Sequence, residues 1–473
     1  MLTPRFKLSQ DENHVFITVH APYTNIGESE IDIDGENFLF VSSPYFLRLR
    51  LPGKIVENDR SKGSYICDSG DFNFTFDKET PGEHFENLDM ITSLLAPRDI
   101  PDVNPNLVEM LEEDGVNISD NEDDDKACAE EECNKYSYGF ANKISTDFKD
   151  VGEEFPQIFE LRVPERVPIA ERNELREKYE NHKFSSDHYL ADLYEEELLA
   201  PHLAVVTEWC APDFNKEIDF TDEEVSVLKE LPNKHYLLSK KEQKQVFMGL
   251  VDILYGYCYD KRTTQNESNV ESSWTINKLS PTLSCFCTFN DTKEVLIACY
   301  RRALVFPIFR NFELCTKVHK DLVALLKIGK KYVIKCLISV FTMFNLNTEA
   351  RYILNQLYIK DYLIFLQKCR AEEFDQLSDE IDNIEILKKD LGLELEELEA
   401  AAEMVKLEET QIMENEMAVK MAHMSLLPGL KKATYMSSDE TDDSTDSDDS
   451  STDSSSDSSS SDSSEWDSDD ERS

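Results

Sequence analysis

A chain of 473 residues that is 40% hydrophobic, with 26 Phe and 18 Tyr, exceeds what one hydrophobic core serves, so two folded domains are the starting expectation. Its formal net charge of −47 argues against nucleic acid as the ligand, since that binding rests on Lys and Arg neutralising phosphates; a basic protein is the expected partner. The opening Met1-Leu2-Thr3-Pro4-Arg5-Phe6 lacks the apolar centre of a signal peptide, and the longest near-apolar stretch, Cys336 to Phe344, is too short to cross a bilayer, so a soluble intracellular protein is expected.

Residues 1–89 alternate with period two, the mark of half-buried strands. Val15, Ile17 and Val19 share one face, Leu47, Leu49 and Leu51 alternate with arginines, and Phe72, Phe74 and Phe76 alternate with Asn73 and Thr75. Turn signals at Asp34-Gly35, Pro52-Gly53 and Ser69-Gly70 separate the runs. Roughly seven short strands without helices between them predict an antiparallel β-sandwich. Residues 90–151 then read as an acidic flexible linker, long enough that the flanking domains are not expected to be rigidly coupled. Within it Glu109 to Glu132 holds 12 acids against one Lys, a balance of −11.

Helical periodicity governs residues 152–430, an expected all-α domain. Val318, Leu322, Leu325, Leu326, Val333, Leu337, Val340 and Phe344 recur at helical spacing, with Lys317, Lys320, Lys327, Lys330, Lys331 and Lys335 projected on the opposite side. These lysines belong to a basic island, residues 271–370, with 15 Lys and Arg against 7 Asp and Glu, or +8. Such an island either attracts the chain's own acids or faces an anion. Leu391, Leu395, Leu398, Ala402 and Val405 form a narrower stripe on an acidic helix. Residues 431–473 form a tail of Ser and acids in which Ser437 to Ser473 holds 15 acids against one Arg, or −14, and no core can form there.

The chemistry-bearing residues form no familiar constellation. Neither a phosphate-binding glycine motif after a strand nor a G-x-S-x-G elbow is present. The eleven cysteines are an odd, scattered count, and the close pairs Cys128/Cys133 and Cys285/Cys287 lack zinc-ligand spacing, so reduced thiols are expected. His182 and His188 flank Asp187, which reads as surface or capping use before catalysis. No catalytic residue, metal or cofactor is expected. Trp274 reads as core or as a binding anchor, and Trp466, alone in the acidic tail, as a docking anchor.

Tyr138-Gly-Phe-Ala-Asn-Lys143, Lys183-Phe-Ser-Ser-Asp-His-Tyr-Leu-Ala-Asp192, Val270-Glu-Ser-Ser-Trp-Thr-Ile, Leu279-Ser-Pro-Thr-Leu283, Arg301-Arg-Ala-Leu-Val-Phe-Pro-Ile-Phe-Arg310, Tyr352-Ile-Leu-Asn-Gln-Leu-Tyr-Ile and Leu391-Gly-Leu-Glu-Leu-Glu-Glu-Leu-Glu-Ala400 are long, unusual strings. In this order they resemble the Shq-type H/ACA ribonucleoprotein assembly factors. The resemblance implies a multidomain chain, a CS-type sandwich followed by a family-specific helical domain. It also implies an assembly chaperone that binds the pseudouridine synthase dyskerin at its RNA-binding surface, is released by AAA+ ATPases, is monomeric alone, and resides in nucleoplasm and cytoplasm without contacting nucleic acid or membrane. Carboxylates standing where phosphates would lie suit such a surface, which makes Glu394, Glu396 and Glu397, with Trp274, the candidate partner-binding residues. A CS-type co-chaperone of the ATP-driven heat-shock chaperone is the alternative, since a CS fold alone does not decide function.

Overall fold

The computed structural model describes residues 3–22, 24, 29–58, 61–66, 70–95, 136–215 and 217–425. The acidic run, the cysteine pair Cys128/Cys133 and the tail with Trp466 lie outside them. The chain divides into two units, residues 1–406 and 407–473. The first holds a sandwich and a helical body.

Period-two burial builds the sandwich. Strands β1 (Arg5–Gln10), β2 (His14–His20), β3 (Glu30–Asp34), β4 (Asn37–Ser42), β5 (Tyr45–Arg50), β6 (Ile55–Val56), β7 (Lys62–Ile66) and β8 (Asp71–Lys78) form two antiparallel sheets. One runs β1-β2-β8, with β6 and β7 both pairing β8; the other runs β3-β4-β5. Val15 pairs Phe76, Ile17 pairs Phe74 and Val19 pairs Phe72, which sets all six on the inner face. Across the gap Phe38 and Phe40 of β4 meet them, with Phe40 edge-on to Phe72 at 5.0 Å and Phe38 tilted to Phe74 at 5.7 Å. The expected fold class holds here.

Among the described residues beyond 136 the regular elements are helical: α2 (Lys149–Glu154), α3 (Ile169–Lys183), α4 (Ser186–Tyr194), α5 (Glu196–Ala204), α6 (Asp222–Glu230), α7 (Lys240–Thr263), α8 (Ser272–Leu279), α9 (Pro281–Cys285) and α10 (Thr292–Val305). There follow α11 (Phe312–Ile328), α12 (Lys330–Leu346), α13 (Tyr352–Leu354), a π turn at Asn355–Ile359, α14 (Lys360–Lys368), α15 (Ala371–Asp382) and α16 (Leu395–Ser425). Helix α7 starts at a reciprocal Ser239/Glu242 capping box and is buried on every side from Val246 to Arg262, as befits the helix the others surround. The apolar stripe expected as one segment is two helices, α11 and α12, broken at Gly329, whose φ of 107° suits no other residue. All eight stripe residues are buried. The lysines opposite them are not uniformly outward, because Lys330 is buried.

The break seats Lys330 at the junction with the sandwich. Its Nζ donates to the carbonyls of Gln367 at 3.4 Å and Cys369 at 2.9 Å and to Asn87 Oδ1. A single helical turn, α1 (Ile91–Leu94), lies against α6 and α14. There the Thr92 backbone N–H donates to Gln367 Oε1 at 2.9 Å and its hydroxyl to the Leu228 carbonyl at 2.5 Å. Asn233 Nδ2 donates to the carbonyls of Ser93 and Leu95 at 3.4 and 2.6 Å. The sandwich is therefore docked on the helical body, contrary to the loose coupling expected from the linker's length.

The expected linker is also trimmed at both ends, since residues 90–95 and 136–151 belong to packed structure. Tyr138 stands edge-on to Phe148 and Phe286 at 5.1 and 5.4 Å, and Phe140 to Tyr362 at 5.0 Å. Gly139, at φ 74°, lies where a Cβ would fall 2.6 Å from Ile144.

Replacing Lys330 by Met leaves its buried acceptors unpaired, which costs about 1–3 kcal/mol. Thermal melting checks the loss, and amide exchange over residues 85–95 should accelerate more than exchange in β2, the signature of a loosened junction.

Candidate partner-binding surface

The motif Arg301-Arg302 lies on α10 and turns inward. Glu180 of α3, fully buried, accepts from Arg176 Nη1 at 2.8 and 2.7 Å and from Arg301 Nε at 2.8 Å. Arg302 grips Glu160 with both terminal nitrogens at 2.9 and 2.8 Å, and Lys278 reaches the same carboxylate at 3.0 Å. Burial pushes Glu160 up, but the Arg302 charge and hydrogen bonds, backed by Lys278, overcome it and hold the carboxyl well below its usual range. Arg301 extends to Asn181 Oδ1 at 2.8 Å and to the Leu391 carbonyl, which ties α3 and α10 to the segment leading into α16.

The same fate meets much of the basic island. Lys293 pairs Asp390 at 3.2 Å, Lys327 pairs Asp382 at 2.7 Å, Lys331 pairs Asp219 at 3.3 Å and Lys335 pairs Glu224 at 2.6 Å. These acids lie outside residues 271–370, so the island's charge is met from elsewhere in the chain, and the self-attracting reading is the one observed. Another buried carboxylate, Asp321, takes Arg262 at 2.6 and 2.8 Å, while the Trp209 indole donates to its carbonyl at 2.9 Å.

Glu394, Glu396 and Glu397 come together on one exposed turn. Buried Leu393 and Leu395 anchor it, the Glu394 carbonyl accepts from the Leu398 N–H at 3.0 Å, and the other two stand in the first turn of α16, where the helix dipole favours acids. Glu399 turns inward to the Tyr189 hydroxyl at 2.5 Å and to Lys388. The expected apolar stripe is buried at Leu391 and Leu395, half-buried at Leu398 and Ala402, and exposed at Val405. Trp274 is half-buried on α8, and among the described residues no hydrogen bond, ion pair or ring contact links it to the three glutamates.

The groups that suggested chemistry are engaged in structure. His188 contacts the Ile308 carbonyl at 2.8 Å and Asp192 at 3.5 Å. Cys285 and Cys287 are buried, and the neighbouring Cys287 together with burial pushes the Cys285 thiol up. A cavity of about 650 Å³ between α11 and residues 382–396 is lined by Phe312, His319, Ile384, Ile386 and Glu396, but His319 spends both ring nitrogens on Tyr300 and the Ile381 carbonyl, each at 3.1 Å. Among the described residues no group of three or more His, Cys, Asp or Glu could hold a metal ion. Asp252 of α7 is used as a cap: it accepts from the Ser280 hydroxyl and, at 2.9 Å, from the Thr282 N–H at the start of α9.

A β-sandwich is thus docked on a helical body whose buried charged groups are engaged in packing, with Glu394, Glu396 and Glu397 left outside. Residues 3–95 match the SHQ1-like CS domain, and residues 211–395 match the Shq1 domain of SHQ1 protein. Protein SHQ1 homolog of Xenopus tropicalis is 41% identical over 435 residues, which cover 87% of this chain and 71% of that protein. The Mus musculus homolog is 38% identical, covering 86% and 76%, and Protein shq1 of Schizosaccharomyces pombe is 34% identical, covering 85% and 96%. The chain belongs to the SHQ1 family and is a Shq1-type assembly factor.

Replacing Glu180 by Gln leaves Arg176 and Arg301 facing a neutral group in the interior, and should destabilise the helical body by about 3–5 kcal/mol in denaturant melts. Asp252 gives a pH signature. Burial lifts its carboxyl to about 7 despite the hydrogen bonds from Ser280 and Thr282. The folded protein then keeps a proton that the unfolded chain releases near 3.8, so this group withdraws stability as pH rises from that value to about 7. Asp252→Asn lacks that loss, so the melting temperature of wild type minus variant should fall across the window; a flat difference would place the carboxyl at its ordinary pKa.

Proposed function

We propose that this chain is an assembly chaperone that holds dyskerin by its RNA-binding surface until guide RNA and companion proteins of the H/ACA particle arrive. Membership of the SHQ1 family, with the Shq1 domain match lying wholly in the helical body, carries this reading. The charge arrangement supports it. Arg301, Arg302, Lys327 and Lys335 of residues 271–370 are paired with the chain's own acids, while Glu394, Glu396 and Glu397 remain in solvent, where they suit a surface evolved for phosphates. AAA+ ATPases supply the work of release in this scheme, which runs in the nucleoplasm and cytoplasm.

The placeholder mechanism requires competition. Dyskerin preloaded with the full chain and titrated with guide RNA should lose this protein as RNA binds, and a stable ternary complex would refute the mechanism. Reversing Glu394, Glu396 and Glu397 to Lys should weaken binding about tenfold at low salt, and the deficit should shrink as salt rises, because exposed charges are screened over a Debye length of about 8 Å.

A further inference from the structure

Two surface turns, residues 264–273 leading into α8 and 346–352 between α12 and α13, meet through Asn347 Nδ2, which donates to Ser273 Oγ at 2.9 Å. Arg351 reinforces the second turn through Asn347 Oδ1 at 3.0 Å and Glu349 at 2.6 Å. On the outside they carry Val270, 85% exposed, Leu346, 78% exposed, and Tyr352, 50% exposed, beside half-buried Trp274. Val340 and Phe344 occupy the buried stripe of α12, and Leu346 falls out of phase with it, so core packing does not account for a leucine there. An apolar cluster of this kind marks an interaction surface more often than a folding contact.

The backbone beneath is under unusual constraint. Ala350 sits at φ 61°, a conformation disfavoured for a residue with a Cβ, and a π turn follows at Asn355–Ile359. Arg351, 1% exposed, leaves Nε and Nη2 without a partner, as Asn355 leaves Oδ1. Uncompensated polar atoms packed below an exposed apolar cluster indicate a segment shaped by something other than stability.

Charge identifies the occupant. Glu267, Glu271 and Glu349 are exposed around the cluster, and the only basic side chain between residues 264 and 274 or 345 and 352 is Arg351, buried and paired. Phosphates would be repelled, and a second copy of this chain would set carboxylates against carboxylates. We propose that this surface docks a basic protein segment, which lays an apolar side chain against Val270, Trp274, Leu346 and Tyr352 and its Lys or Arg on Glu267 and Glu271. The inference rests on the dyskerin reading and assigns the apolar anchor of that contact to these turns.

The test uses the full chain with Val270 and Leu346 both replaced by Asp. Both side chains lie in solvent, so the melting temperature should hold while affinity for dyskerin falls at least about tenfold, as for a desolvated anchor. Glu267→Lys with Glu271→Lys should weaken binding mainly at low salt. Should the Asp variant lose stability, a photo-crosslinking residue at position 346 decides: attachment to dyskerin supports the surface, and no attachment overturns it. Wild-type affinity in a stable Asp variant overturns the surface while leaving the dyskerin reading intact. A wild-type chain that does not bind dyskerin overturns both.

Discussion

Glu180 sits in the interior where α3 and α10 cross, and the helical body depends on how that one charge is answered. A buried carboxylate is tolerated only with near-complete pairing, and here two guanidinium groups supply it while a third, Arg302, stands 3.7 Å away and completes Glu160. Because Arg301 also holds the Leu391 carbonyl, the direction in which the acidic turn Glu394–Glu397 faces follows from the geometry of a buried pair. Specific hydrogen-bonded charge here fixes which helix lies beside which, a constraint that interchangeable leucines would leave loose.

Charge in this molecule divides by depth. Acids that meet Arg or Lys indoors act as fasteners, and those left outdoors define what can approach. The apparent discord of a basic island in an acidic chain eases likewise, because Arg301, Arg302 and Lys278 answer Glu180 and Glu160 in the interior, while Lys327 and Lys331 meet Asp382 and Asp219 at the surface. The same division explains why the exposed apolar turns at Val270 and Leu346 stand out: they are rimmed by carboxylates without nearby exposed cations.

Local pattern made much of this fold readable. The Phe72/Phe74/Phe76 alternation and the stripe from Val318 to Phe344 fall on buried faces because side-chain period follows directly from backbone geometry. What period cannot carry is pairing at long range. The Glu160–Arg302 and Glu180–Arg301 contacts span 142 and 121 residues, and nothing in either neighbourhood nominates the other. The docking of the sandwich escaped for the same reason, and the length of the intervening acidic segment was a misleading guide. Gly329 interrupts the periodic run, yet the stripe reads as one segment because the apolar spacing carries across the break. Of the candidate site residues, the three glutamates were found from local acidity and do share a turn, whereas the turn that carries Leu346 is brought to the start of Trp274's helix only by the long-range bond from Asn347 to Ser273.

The bond from the Thr92 N–H to Gln367 spans 275 residues of sequence, and that interval has a meaning in time. Chains emerge from the ribosome at about 5–20 residues per second, so the sandwich is complete for roughly a quarter to nearly a full minute before its seat exists. Through the first half of that interval α1, with its buried Ile91 and Leu94, lacks α6, and through all of it α14. The nascent chain therefore presents an unfinished apolar edge during part of its own synthesis, a surface that stays open until the helical body closes over it.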